Sequence, residues 1–173
     1  PNACPVCGPH IWLQDTEHQL ATHQTALKQT ALLLKEGKIL AIKGLGGFHL
    51  ACDAQNFDAV QLLRDRKHRP SKPLAVMVPS LDFLHNLTET EIKLLTSTAA
   101  PIVLLQKNKV SNMAKNIAPN LNEIGVMLPS NPLQHLLLRE INQPLVMTSA
   151  NPSGEPPVLD NENAVKKLSN LAD

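Results

Sequence analysis

Six short apolar runs recur along the chain, most of them separated by helix-patterned sequence, and this alternation restricts the chain to a layered α/β architecture. The runs are KILAIKG, FHLACDA, and residues 74–78, 102–106, 124–128 and 145–148. Between and around them lie helix signals. Over residues 18–36, Leu20, Leu27, Ala31 and Leu34 recur at helical spacing, and Gly37 is placed to end the helix in a left-handed conformation. Asn56 can cap a helix through Phe57, Val60 and Leu63, Thr88 with Glu91 forms a capping box, and residues 132–141 carry an apolar face behind Pro132. Residues 162–171 complete the pattern as a last helix.

A length of 173 residues supports one hydrophobic core, so a single globular domain is expected. No apolar run reaches the roughly 18 to 20 residues that cross a bilayer, and no signal pattern opens the chain, so a cytoplasmic location is expected. Three cysteines argue against a secreted disulfide framework. Aromatic residues make up 2% of the chain and tyrosine is absent, which leaves little for the base-stacking surfaces of single-strand readers.

Against a formal net charge of only +1, the segment RDRKHRPSKP holds five Lys or Arg and His68 in ten residues. Pro70 and Pro73 stop helix propagation and set an extended course toward residue 74. On extended chain Lys67 and Arg69 project from one side and offer an anion a point charge and a planar fork, which suits a phosphate; a solvated basic loop has the same composition. The segment TSANPSGEP follows a strand, where Ser149 and Asn151 offer a hydroxyl, an amide and backbone N–H groups to an anionic or ribosyl ligand, or form a plain Asx turn. In KGLGGFHLACDA, Gly44, Gly46 and Gly47 permit close backbone approach or a tight turn, without either standard nucleotide-loop spacing. His49 and Cys52 lack a third member for thiol catalysis.

The opening PNACPVCGPH carries Cys4 and Cys7 in a turn that can present two thiolates to zinc. The missing pair is expected upstream, so residues 1–18 are expected to be the end of a zinc-finger region with its linker, and residues 19–173 the folded domain. Two free thiols are the alternative. His10, His18 and His23 stand nearby but fit no defined zinc module.

KGLGGFHLACDA, RKHRPSKPLAVM, LPSNPLQHLLL and TSANPSGEP, in this order and roughly this spacing, closely resemble the YrdC-like domain of HypF-type hydrogenase maturation carbamoyltransferases, from about Leu27 to the end. The opening resembles the last ligand pair of the zinc finger that precedes that domain. The wider family, which includes threonylcarbamoyl-AMP synthases, shares a Lys-x-Arg and Ser-x-Asn signature, here Lys67, Arg69, Ser149 and Asn151.

The resemblance implies an α/β fold, an open twisted mixed sheet with helices packed around it and a central concave basic cavity. It implies ATP-dependent activation of carbamate derived from carbamoyl phosphate, giving carbamoyl-adenylate and pyrophosphate, in the synthesis of the cyanide ligands of [NiFe]-hydrogenase. Lys67, Arg69 and Lys72 would neutralise phosphate and carbamate; Ser149 and Asn151 would hold the nucleotide with Lys67 and Arg69, with Arg66 beside them. Lys43, Gly46, Gly47, Phe48, His49, Ser130, Asn131 and His135 would line the substrate pocket, although Ser130 and Asn131 depart from the LPYTPLH form of the family. Mg2+ is implied with ATP, Zn2+ at Cys4 and Cys7 in the full-length protein, and a HypE-type partner as acceptor of the carbamoyl group. Two competing expectations remain. A threonylcarbamoyl-AMP synthase for tRNA modification is disfavoured by KGLGGFH and the zinc-finger junction, and a double-stranded RNA binding module by having one cationic cluster only.

Overall fold

The computed structural model describes residue 4, residues 6–151 and residues 155–173. Two sheets are present among them. A hairpin pairs β1 (Trp12–Gln14) with β2 (Gln19–Thr22), and a mixed six-stranded sheet contains β3 (Leu40–Gly44), β4 (Gly47–Asp53), β5 (Ala75–Met77), β6 (Val103–Gln106), β7 (Glu123–Met127) and β8 (Leu145–Ser149). The spatial order is β3-β4-β8-β5-β7-β6. Only β5 and β7 run parallel; the other neighbours are antiparallel. Five helices accompany them: α1 (His23–Lys35), α2 (Phe57–Arg66), α3 (Glu89–Leu95), α4 (Pro132–Ile141) and α5 (Asn161–Leu168).

The local signals explain most boundaries. Asn56 Oδ1 accepts from the N–H groups of Asp58 and Ala59, the Thr88–Glu91 capping box forms, and Asn131 caps α4 ahead of Pro132. Gly37 sits at φ 83, and the N–H groups of Gly37 and Lys38 return to Leu34 and Leu33, closing α1. The helix expected from residue 18 instead begins at His23. Asp15 Oδ1 accepts from the N–H groups of Glu17 at 2.7 Å and His18 at 2.6 Å, and this turn folds residues 19–22 back onto β1 as a strand. The hairpin therefore spans the expected boundary between residues 1–18 and 19–173. Residues 1–3 and 5 of the opening and 152–154 of TSANPSGEP lie outside the described residues.

Alternation along the strands gives the large sheet two apolar faces. On one, Leu50, Cys52, Val76, Val103, Leu105, Ile124, Val126 and Val146 are buried with Val60 and Leu63 of α2 and Leu168 of α5. On the other, Leu40, Ile42, Ala51, Leu145 and Met147 pack against Leu34 of α1 and Leu137, Leu138 and Ile141 of α4. Each fully buried leucine contributes about 1.5–3 kcal/mol of transfer free energy. Past Met147 and Ala75 this second face continues into an open groove lined by residues of β6 and β7.

Candidate functional site

The basic segment begins inside α2. Its C-terminal turn bonds Lys67 N–H to Leu63 O, then His68 enters the left-handed region at φ 50 and Arg69 N–H returns to Arg64 O at 2.9 Å. A helix-ending turn, not extended chain, thus sets Lys67 and Arg69. Both still converge on the end of β8. Lys67 Nζ donates to Ser149 O at 2.6 Å and to Asn151 O at 3.1 Å, and Arg69 Nη1 donates to Thr148 Oγ1 at 3.1 Å. Ser149 Oγ donates to Asn151 Oδ1 at 2.6 Å, and Asn151 Nδ2 to Glu155 O at 2.7 Å, which holds the strand-end turn in shape.

Of these, Arg69, Thr148 and Ser149 border a groove of about 840 Å³ whose lining also includes His49, Met147 and Gly125. The His49 ring lies against Gly44, where an added Cβ would stand 2.5 Å from His49 Cε1. Gly125 forms part of the floor: a Cβ there would meet Ile102 Cγ2 at 2.9 Å and Ala75 Cβ at 3.7 Å. Neither Gly125 nor Thr148 was marked by the sequence reading. Register with β6 and β8 could have suggested them, but the order of the strands is needed to know that register.

Positive charge accumulates here without a carboxylate partner. Among the described residues the ion pairs are His18–Glu17, Arg66–Asp173 and Lys109–Glu91, and none includes Arg64, Lys67 or Arg69. Burial, then the nearby Arg69, lowers the Lys67 ammonium to about 8, and burial lowers Arg69 as well. Arg69 Nε is buried without a hydrogen-bond partner among the described residues. Burial also holds the His49 imidazole below its ordinary value, favouring the neutral ring.

Several expected site residues lie elsewhere. Arg66 turns to the C-terminal segment, donating to Asp173 Oδ1 at 2.8 Å and Leu171 O at 3.4 Å. Lys43 Nζ donates to Leu159 O and Asn161 Oδ1 and sits 4.8 Å above the Phe48 ring; both residues line a second, largely apolar cavity of about 400 Å³. Gly47, at φ 123, packs on the Val158 carbonyl, while Gly46 stands open. Ser130 and Asn131 serve the start of α4: Asn131 Oδ1 accepts from Gln134 N–H, and Ser130 donates to Gln134 Oε1. His135 is exposed on α4, and none of these residues lines the groove. Lys72 is exposed, with its carbonyl turned to Arg64. Cys4 and Cys7 form a turn in which Cys7 N–H donates to Cys4 Sγ at 3.4 Å.

The profile of the Sua5_yciO_yrdC family, described as Telomere recombination, matches residues 32–173. The chain belongs to this family. Within it, the chain is similar over its full length to "Carbamoyltransferase HypF" of Rhodobacter capsulatus, 49% identical over 175 residues, and it spans 23% of that protein. A crystal structure of full-length HypF in a phosphate- and nucleotide-bound form superposes with a TM-score of 0.85 at 44% identity, covering 99% of this chain and 22% of that one. The threonylcarbamoyl-AMP synthase of Hydrogenovibrio crunogenus is more distant, 32% identical over 156 residues, covering 84% of this chain and 83% of that protein. The Sua5/YrdC domain seen here is therefore closer in sequence to the HypF carbamoyltransferases than to that synthase, and the α/β architecture with its mixed sheet is that of HypF.

Proposed function

We propose that this domain activates a carbamoyl group at the expense of ATP, forming carbamoyl-adenylate and pyrophosphate from carbamate derived from carbamoyl phosphate, as part of a HypF-like carbamoyltransferase in [NiFe]-hydrogenase maturation. The observation that carries this reading is the convergence of Lys67, on Ser149 and Asn151, and of Arg69, on Thr148, at the end of β8 beside the groove, with neither cation in an ion pair among the described residues. A cluster of cations left without counter-charge is suited to a polyanion that supplies it.

The reaction asks for no protein nucleophile, because carbamate is already anionic. What the chain must do is hold two mutually repelling anions in line and stabilise charge on the α-phosphate and the departing pyrophosphate. Arg69, whose Nη1 is tied to Thr148, fits the phosphate role. Lys67 Nζ directs its hydrogen bonds to the 149–151 turn, so its charge acts from beneath while it shapes the nucleotide-holding segment. Lys72, exposed beyond Pro70, can reach phosphate from the solvent side. Neutral His49 can donate or accept a hydrogen bond at the carbamate end of the groove.

Metal chemistry fits unevenly. No group of three or more His, Cys, Asp or Glu side chains able to hold a metal stands among the described residues. The groove does carry one carboxylate, Glu123, which suits a magnesium ion brought by the phosphates of ATP better than a closed protein cage. Backbone N–H groups of Cys7 and Val6 lower the Cys4 thiol to about 7, favouring the thiolate that zinc needs, but Cys4 and Cys7 are half of a tetrahedral set. Transfer of the carbamoyl group to a HypE-type thiol belongs to the rest of such a protein.

Pyrophosphate release decides between the readings. Release from ATP that requires carbamoyl phosphate supports the proposal, whereas release that requires threonine and bicarbonate assigns the domain to threonylcarbamoyl-AMP synthesis. Absence of ATP binding by calorimetry, with double-stranded RNA binding that falls steeply with salt, would remove both.

A further inference from the structure

Arg64 is 2% exposed, yet its guanidinium meets no carboxylate among the described residues. Every hydrogen bond it makes goes to a backbone carbonyl. Nε donates to Asn116 O at 2.7 Å and Nη2 to Ile117 O at 2.9 Å. Nη1 donates to Arg69 O at 2.8 Å, Lys72 O at 3.0 Å and Pro70 O at 3.3 Å. One buried side chain therefore gathers the carbonyls of the 69–72 loop inward.

This arrangement changes what the loop shows to its surroundings. In a trans peptide the carbonyl and the following N–H point in opposite directions, and no cis bond is present among the described residues. Two of the three gathered carbonyls, those of Arg69 and Lys72, precede Pro70 and Pro73, which have no N–H to offer. The third, that of Pro70, precedes exposed Ser71, so the Ser71 N–H is directed away from the guanidinium. With the carbonyls of Arg69, Pro70 and Lys72 turned inside, the loop presents the Arg69 and Lys72 side chains and the Ser71 amide. A carbonyl-lined turn would repel phosphate; this one has three of its carbonyls withdrawn.

We infer that Arg64 is a positioning residue that makes the 69–72 loop anion-receptive, by drawing its carbonyls inward and turning the Ser71 amide outward as an additional phosphate donor. This rests on the reading that the groove takes a polyphosphate. Lysine cannot replace it, because an ammonium offers a compact charge with three donors where a fork must span five acceptors in two loops.

The test compares the wild-type chain with Arg64→Lys, using calorimetry with ATP and with adenosine, and amide resonances of residues 69–72. ATP affinity should fall by about tenfold or more in the variant, the loss of a charged hydrogen-bond array, with adenosine affinity unchanged. The Ser71 amide of the wild type should shift on adding ATP or inorganic pyrophosphate. A folded Arg64→Lys chain with ATP affinity within about twofold of wild type overturns the inference, as does a lower unfolding temperature with an unchanged preference for ATP over adenosine. Should the variant not fold, the wild-type titration decides: a Ser71 amide that stays still while Arg69 resonances move overturns the assignment. If wild-type chain gives no heat with ATP, the proposed function falls, and the pyrophosphate titration of Ser71 alone decides for or against Arg64.

Discussion

Lys67 Nζ donates to the carbonyl of Ser149 at 2.6 Å across 82 positions of sequence, joining the end of α2 to the end of β8. This bond brings two motifs distant in sequence together. It also assigns Lys67 a double part, as buried charge and as the peg of the 149–151 turn.

Lys67→Ala should weaken ATP binding by about tenfold or more and lower stability by about 1–3 kcal/mol, since two strand-end carbonyls lose their donor. Calorimetry and denaturant unfolding measure both. Unchanged affinity in a folded variant would remove Lys67 from the site.

The same side chain carries a pH dependence with opposite signs for binding and stability. Its folded value of about 8 lies below the 10.5 of a free lysine, so between these values the unfolded chain binds more protons and the contribution of this group to stability rises with pH. The site meanwhile loses a positive charge, and ATP affinity should decline from about pH 8 upward. Flat affinity from pH 7 to 9.5 would contradict this, and Lys67→Met should lack the stability rise.

Arg69→Lys should cost ATP affinity nearly as much as Arg69→Ala. The fork that reaches Thr148 Oγ1 and the Pro73 carbonyl at once has no counterpart in an ammonium. Retention of wild-type affinity by the lysine variant, read by calorimetry, would show that charge alone suffices.

Gly125→Ala should leave the fold intact and impair the groove. The added Cβ meets Ile102 Cγ2 at 2.9 Å, a methyl on the branch carbon, but Ile102 is 55% exposed and a rotation about χ1 toward solvent relieves the contact, so the melting temperature should move by only a few degrees. Ligand affinity should fall more than stability suggests, because the methyl group fills the floor. Equal affinity would place the ligand away from β7.

Thiol labelling should divide the cysteines. Cys4, partly exposed and with its thiol lowered to about 7, should alkylate rapidly at neutral pH, whereas Cys52, buried and pushed up to about 12, should react only on unfolding. Rapid labelling of Cys52 in the folded chain would contradict the packing of β4.

Much of this was legible in the chain itself. Asn56, Thr88 with Glu91, Pro132 and Gly37 set helix ends through bonds to neighbours a few residues away, and the apolar runs mark the six strands of the large sheet because burial on both faces demands it. The pairing of Trp12–Gln14 with Gln19–Thr22 was missed because the helical spacing around Leu20 competes with an Asp15 turn whose strength the spacing does not reveal. In RDRKHRPSKP the composition announced a concentration of cations but not how each would be used. Arg64, overlooked, became the buried organiser, while Arg66, two residues on, turned to Asp173.

The chain by itself determined the elements, their caps and the concentration of charge, since each depends on contacts within a few residues. Tertiary structure decided which cations face the groove, that Gly125 is its floor, and that Lys43 and Phe48 belong to another cavity. Those outcomes depend on the strand order and on the angle at which α2 ends against β8, and neither is encoded in any local stretch.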